Sequence, residues 1–194
     1  TDTFMKWALN YAGRKINADD KVLYLGYKKQ ELNLSEVSPK FIDLAKQLEN
    51  KFIVFFVGTI SKSYHNPMIL VKAAEQLKEK KDIHFVIAGE GELLNELRAS
   101  SENNSNITLT GWLNQQEIEF WLKHSKTGIC PATKFVDLPT NKIFAYFSAG
   151  LPVISAFHGD LKDIIEEKKV GFFYPPNQVD ELVSCILKLY ENKT

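Results

Sequence analysis

Short runs of β-branched and aromatic residues alternate with longer stretches of helical period, and this alternation constrains the fold more than any other feature. The runs are Lys21 to Leu25, Phe52 to Val57, Ile83 to Ala88, Ile107 to Leu109, Gly128 to Cys130 and Val153 to Ser155. Between them, Pro67 to Lys80 places Met68, Leu70, Val71, Ala74 and Leu77 on one stripe with charges opposite. Glu92 to Ala99, Gln115 to Lys123 and Val179 to Tyr190 behave in the same way, as crossover helices do. The pattern predicts βαβ units and a parallel sheet. Phe52-Ile-Val-Phe-Phe-Val57 is apolar throughout instead of alternating, as in strands covered on both faces. The expected class is therefore α/β, a doubly wound Rossmann-like parallel sheet with helices on both faces. Ligands of such sheets bind beyond the carboxyl ends of the strands, so the loops after Val57, Ala88, Leu109, Cys130 and Ser155 should line the site. Residues 35 to 50 read as a lead-in helix with Ser35 as its N-cap.

The chain of 194 residues suits one domain with a short appendage. Residues 1–20 read as an amphipathic remnant helix from a preceding domain or interdomain segment, and 21–194 as the ligand-binding domain. Lys plus Arg and Asp plus Glu balance at 24 each. The long-range field then gives no reason to expect nucleic acid or an anionic membrane as main partner, and an anion site must be local. Cys130 and Cys185 lie far apart in apolar surroundings, which suits buried free thiols in a reducing compartment better than a disulfide. No run approaches the ~20 apolar residues of a membrane span, and no basic-then-apolar leader opens the sequence. The expected location is cytoplasmic, at most at the cytoplasmic membrane face in a longer protein.

Four strand-end segments carry candidate chemistry. Gly58-Thr59-Ile60-Ser61-Lys62-Ser63 follows one strand and leads to a helix near Pro67. A glycine permitting close backbone approach, hydroxyls, a lysine and a helix N-terminus together could hold a phosphate, or be an ordinary turn. Gly89-Glu90-Gly91-Glu92 resembles half of a dinucleotide fingerprint, but lacks the third glycine and an acidic residue after the next strand, which argues against NAD. Gly111-Trp112-Leu113 precedes a helix capped by Asn114; its backbone could meet a base edge, while Trp112 either stacks or packs. In the fourth, a helix beginning near Pro139 ends at Gly150 and is stopped by Pro152. Asn141, Lys142 and Ala145 share one face near its N-terminus, where a pyrophosphate would meet free N–H groups, the positive dipole end and a lysine.

The stretch Pro139-Thr-Asn-Lys-Ile-Phe-Ala-Tyr-Phe-Ser-Ala-Gly-Leu-Pro-Val-Ile154 resembles the donor-site signature of the family-4 (group 1) retaining glycosyltransferases of GT-B architecture. Phe56-Val-Gly-Thr59, Ile87-Ala-Gly-Glu-Gly91, Leu109-Thr-Gly-Trp112, Gly159-Asp160, Gly171-Phe172 and Tyr24-Leu-Gly-Tyr27 keep the same order as in that family. The resemblance implies the carboxy-terminal, nucleotide-sugar-binding half of such an enzyme. That half would transfer a sugar from a UDP- or GDP-sugar to a saccharide or lipid-linked acceptor, with no metal or other cofactor required. It assigns Lys62, Lys142, Gly58 and Thr59 to the donor diphosphate, Asp137 to the transferred sugar as the catalytic position, and Trp112, Leu113 and Ala145 to base and ribose. Acceptor recognition would belong to an N-terminal domain absent from this chain, which alone should bind nucleotide without turnover.

The sequence also departs from the family. Its two donor-site glutamates correspond here to Asp137 and Ala145, and the alanine cannot accept hydroxyl hydrogen bonds. Losing a charged acceptor costs ~1.5–3 kcal/mol. A catalytically impaired nucleotide-sugar-binding module is therefore the competing expectation, and a sugar-nucleotide epimerase of the same architecture the next.

Overall fold

The computed structural model describes residues 2–23, 26–63, 65, 67–134 and 140–192. Its centre is strand β1 (Phe52–Val57), whose Phe55 and Phe56 are fully buried. Each such aromatic contributes about 1.5–3 kcal/mol by leaving water. Around it run β2 (Ile83–Ala88), β3 (Ile107–Gly111), β4 (Thr127–Cys130), β5 (Val153–Ser155) and β6 (Gly171–Phe173). All pair in parallel in the order β3-β2-β1-β4-β5-β6. The chain winds outward from β1 to one edge, returns to β4 and winds to the other, so the switch point lies between β1 and β4. The expected doubly wound sheet is thus present, with β6 as an edge strand that the hydrophobic pattern did not single out.

The helices are α1 (Asp2–Tyr11), α2 (Pro39–Gln47), α3 (Met68–Gln76), α4 (Leu94–Ser101), α5 (Gln115–His124), α6 (Asn141–Ser148), α7 (Asp160–Lys168) and α8 (Val179–Glu191), with a 3-10 turn at Leu34–Glu36. Two expectations need correction. Residues 21–23 form no strand, with Leu23 88% exposed, and Tyr24 and Leu25 lie outside the described residues. Nor is Ser35 the cap of a long helix: it lies in the 3-10 turn, whose start is capped by Asn33, and α2 begins separately after Ser38 with Pro39 in its first turn. The pause falls at Val37, which is buried. Cys130 and Cys185 are both buried and unbridged. No described residue of α1 is buried, and its amino end donates from the Asp2 and Thr3 backbones to the Asp160 carboxylate at the start of α7. No described helix is long and apolar enough to cross a membrane.

Helix α6 ends as its sequence predicts. Gly150 takes φ of 74°, its N–H donates to Phe147 O at 3.0 Å, and the Leu151 N–H reaches back to Tyr146 O at 3.0 Å. This is the double bond of a Schellman stop, for which glycine suffers no Cβ penalty. Pro152 then redirects the chain into β5.

Candidate functional site

Beyond the carboxyl ends of β1 and β4 opens a cleft of about 780 Å³, within the usual range for small-molecule sites. Three segments build it: Val57, Gly58, Thr59 and His65 after β1; Thr140, Asn141, Lys142 and Ala145 at the start of α6; and Gln115 and Ile118 on α5. The lead-in chain closes it with Gly26, Tyr27, Lys28 and Gln30.

Tyr146 holds α6 in place. Its buried ring packs on Gly128, where a Cβ would overlap it. Its hydroxyl accepts from the Val57 N–H at 3.2 Å and lies 3.5 Å from the Ile129 carbonyl, to which it donates. One side chain therefore ties the helix to the ends of both strands that flank the switch point. Lys142 stands one turn earlier on the same face. Its Nζ lies 4.7 Å from the Phe56 ring centroid and 3.3 Å from His65 Nε2. Gly58 makes room for it: a methyl group at that position would sit 2.6 Å from Nζ. Burial pulls the Lys142 ammonium down to about 8, and among the described residues no carboxylate forms an ion pair with it. The cleft thus holds a half-buried cation beside the N-terminus of α6 without a counter-ion among the described residues.

Four side chains of α5 hold the lead-in wall. The Glu119 carboxylate, almost completely buried, accepts from Tyr27 Oη at 2.7 Å and the Gln30 N–H at 3.2 Å. Gln116 accepts from the Asn33 N–H at 2.8 Å, Glu117 from the Ser38 N–H at 3.3 Å, and Gln115 donates to Tyr27 Oη. Burial, followed by Glu119, raises the Tyr27 phenol well above its ordinary value. Glu117 also completes a capping box with Asn114. Gln116, Glu117 and Glu119 are buried because they satisfy backbone donors of a segment that has no ladder of its own.

Of the residues expected from sequence, Lys142, Gly58, Thr59 and Ala145 meet in this cleft. Lys62 is exposed, its backbone N–H donating to Glu92, and it does not line the cleft. Trp112 is 67% exposed and Leu113 is in the core, both away from the lining. Asp137 lies outside the described residues, as does Pro139; α6 begins at Asn141, after Thr140. Gly89 and Gly91 serve packing: a Cβ on either would run into the Gly58 or Ile60 carbonyl, so the two loops can lie side by side only without side chains there. Sequence reasoning missed His65, Gln115 and the inward role of Tyr27. A histidine in the loop after β1 was the available signal. Among the described residues, no group of three or more His, Cys, Asp or Glu side chains is placed to hold a metal ion.

The profile of the family described as "Glycosyl transferases group 1" matches residues 51–192. The chain belongs to this family. It is 26% identical over 84% of its length to the UDP-Gal:alpha-D-GlcNAc-diphosphoundecaprenol alpha-1,3-galactosyltransferase of Escherichia coli, covering 42% of that protein. To the alpha-D-kanosaminyltransferase of Streptomyces kanamyceticus it is 23% identical, with 99% of this chain and 56% of the relative covered. Among solved structures, Anabaena HepE in complex with UDP superposes with a TM-score of 0.75 at 21% identity, over 97% of this chain and 52% of the other. A point mutant of S. aureus TarM superposes with a TM-score of 0.69 at 17% identity, over 99% of this chain and 36% of that one. The chain thus spans about half or less of these relatives, and its sheet is that of one half of a GT-B group 1 glycosyl transferase.

Proposed function

We propose that this chain is the donor half of a retaining glycosyltransferase. It would bind a UDP- or GDP-sugar in the cleft between β1 and β4, for transfer to a saccharide or lipid-linked acceptor held by a preceding half. The observation that carries the reading is Lys142, a half-buried ammonium at the start of α6 with no carboxylate partner among the described residues. An anion there is met by charge and by the free N–H groups of the helix end together. As a sugar–phosphate bond breaks, negative charge builds on the leaving diphosphate. A fixed cation and fixed N–H dipoles stabilise that charge without reorganising, and no metal is called on. Thr59 and the open backbone at Gly58 complete the diphosphate side. Asp137 is proposed for the transferred sugar, and the Gly111-Trp112-Leu113 turn and Lys62 for the outer parts of the donor. The Escherichia coli relative's name carries a UDP-sugar donor and a lipid-linked acceptor, and HepE was solved with UDP, in keeping with this reading. Residues 1–20 are proposed to belong to the segment joining the two halves; Phe4, Trp7 and Tyr11 stack along α1 while largely exposed.

A specific observation favours a second reading, an impaired binding module: Ala145 lines the cleft and offers no acceptor to ribose hydroxyls. Calorimetric titration of the chain with UDP, GDP and their glucose conjugates tests the first claim. Binding in the micromolar to millimolar range is expected, and no heat with any of them would overturn it. A product assay on the protein carrying its preceding half then separates transfer from binding alone.

A further inference from the structure

His65 stands beside Lys142, and the reading above gives it no task. It lies half buried in the loop after β1, with its ring edge-on to Phe56 at 6.4 Å and to Phe157 at 5.7 Å. Its Nδ1 is 3.4 Å from the Pro131 carbonyl oxygen, and its Nε2 is 3.3 Å from Lys142 Nζ. A carbonyl only accepts and an ammonium only donates, so Nδ1 carries the proton and Nε2 the lone pair. The imidazole is neutral, its tautomer fixed from both sides, and it occupies one N–H of the cleft's central cation.

We infer that His65 is a second anion-binding group of the cleft: an anion that draws Lys142 away frees Nε2, which takes a proton from solvent and becomes a second cationic donor to that anion. The inference rests on the proposal that a sugar nucleotide's diphosphate enters here. The balance is simple. The Lys142 N–H···Nε2 bond is exchanged for an N–H···O bond to phosphate, one solvent proton is bound at Nε2, and the Nδ1–H bond to Pro131 is kept, because both forms of the ring donate there.

The groups facing the ring agree with this. Lys142 comes from α6, the Pro131 carbonyl from the end of β4, Phe56 from β1 and Phe157 from the loop after β5. The nearby Cys130 thiol is pushed up to about 11 by burial and stays neutral. No carboxylate among the described residues pairs with the imidazole; the Pro131 carbonyl favours its cation, but less than burial and Lys142 oppose it. Burial first, then Lys142, push it down to about 4. A diphosphate within reach would raise its proton affinity. Binding would therefore take up as much as one proton between about pH 4 and the higher bound-state value. Affinity would rise as pH falls through that window, by at most about tenfold per pH unit.

The test uses the full chain with UDP-glucose and GDP-glucose, whose diphosphates are esterified at both ends and keep constant charge from pH 5 to 8. Calorimetry at pH 6 in buffers of low and high ionisation enthalpy reads the protons taken up. A measurable fraction of one proton is expected, with affinity rising about threefold or more from pH 7.5 to 5.5. In His65→Gln, whose Oε1 can still accept from Lys142 but cannot titrate, the buffer dependence should vanish and the affinity gap to wild type widen as pH falls. Thermal melts confirm that the variant is folded, and the wild-type uptake stands without it. Binding of either sugar nucleotide without proton uptake, or unchanged uptake in folded His65→Gln, overturns the inference while leaving the diphosphate reading intact. No binding of either removes that reading and the inference together.

Discussion

Tyr146 lies against Gly128 so closely that the glycine could not be an alanine without displacing the ring. The same tyrosine bridges β1 and β4 through its hydroxyl, so a packing contact in the core sets where Lys142 points. Gly128→Ala should destabilise the fold by about 1–3 kcal/mol through overpacking. Tyr146→Phe should cost only about 0.5–1.5 kcal/mol for the lost hydrogen bonds. Urea denaturation of both variants checks the order, and equal losses would show that the ring has room to move.

Lys142→Ala should weaken UDP-sugar or GDP-sugar binding by about 1.5–3 kcal/mol, the value of a hydrogen bond to a charged group, with the fold intact. Lys142 is held at about 8 by burial, and only the ammonium binds an anion. Wild-type affinity should therefore decline as pH rises through 8 and beyond, a decline that Lys142→Ala lacks. Calorimetry at pH 7, 8 and 9 reads both effects. Unchanged affinity in the alanine variant would return Lys142 to a purely structural role.

Ala145 lines the cleft one turn from Asn141, where the family's pattern has a glutamate. Ala145→Glu should supply an acceptor for two hydroxyls and tighten nucleoside diphosphate binding by about 1–3 kcal/mol. Lys142 and the helix end offset its repulsion of the phosphates. A weakened or unchanged affinity in a folded variant would place the ribose elsewhere.

His84 is buried on β2 with Nε2 2.9 Å from Thr108 Oγ1, and burial, then Lys51, push it down to about 4. An unfolded histidine titrates near 6.5. Between those values the unfolded chain binds a proton that the folded chain refuses, so stability falls as pH drops from about 6.5 toward 4. The loss is at most about 1.4 kcal/mol per pH unit for each such site. Melting temperatures should drop between pH 7 and 5, and His84→Gln should flatten part of that slope. A parallel drop in the variant would assign it to other groups.

The sheet was legible because its central strands are buried almost throughout. Phe52–Val57, Ile83–Ala88 and Val153–Ser155 occur where the apolar runs lie. The run from Lys21 has similar composition, but composition does not supply a neighbour to pair with: the described residues 21–23 form no strand, and Leu23 faces water. Within the cleft, Gly58, Lys142 and Ala145 were readable from a strand end and from helical spacing, both of which are local. His65, Tyr27 and Gln115 were not, because their places depend on contacts across the fold: Tyr27 meets Glu119 over 92 positions of chain, and His65 meets Lys142 over 77. The buried Gln116, Glu117 and Glu119 also looked like a solvated helix face until the segment they hold was in view.

That segment sets the smallest fragment worth making. The match to the family begins at residue 51, and a designer trimming by homology would cut there, just ahead of β1. Such a cut would strip the backbone donors from Gln116, Glu117 and Glu119, remove Phe41 from its edge contact with Trp121, and open one wall of the cleft. The unit to make is then larger than the matched one: under the proposed reading, a truncation meant to keep ligand affinity should start at or before Gly26, although no described residue before Phe52 is a strand of the sheet.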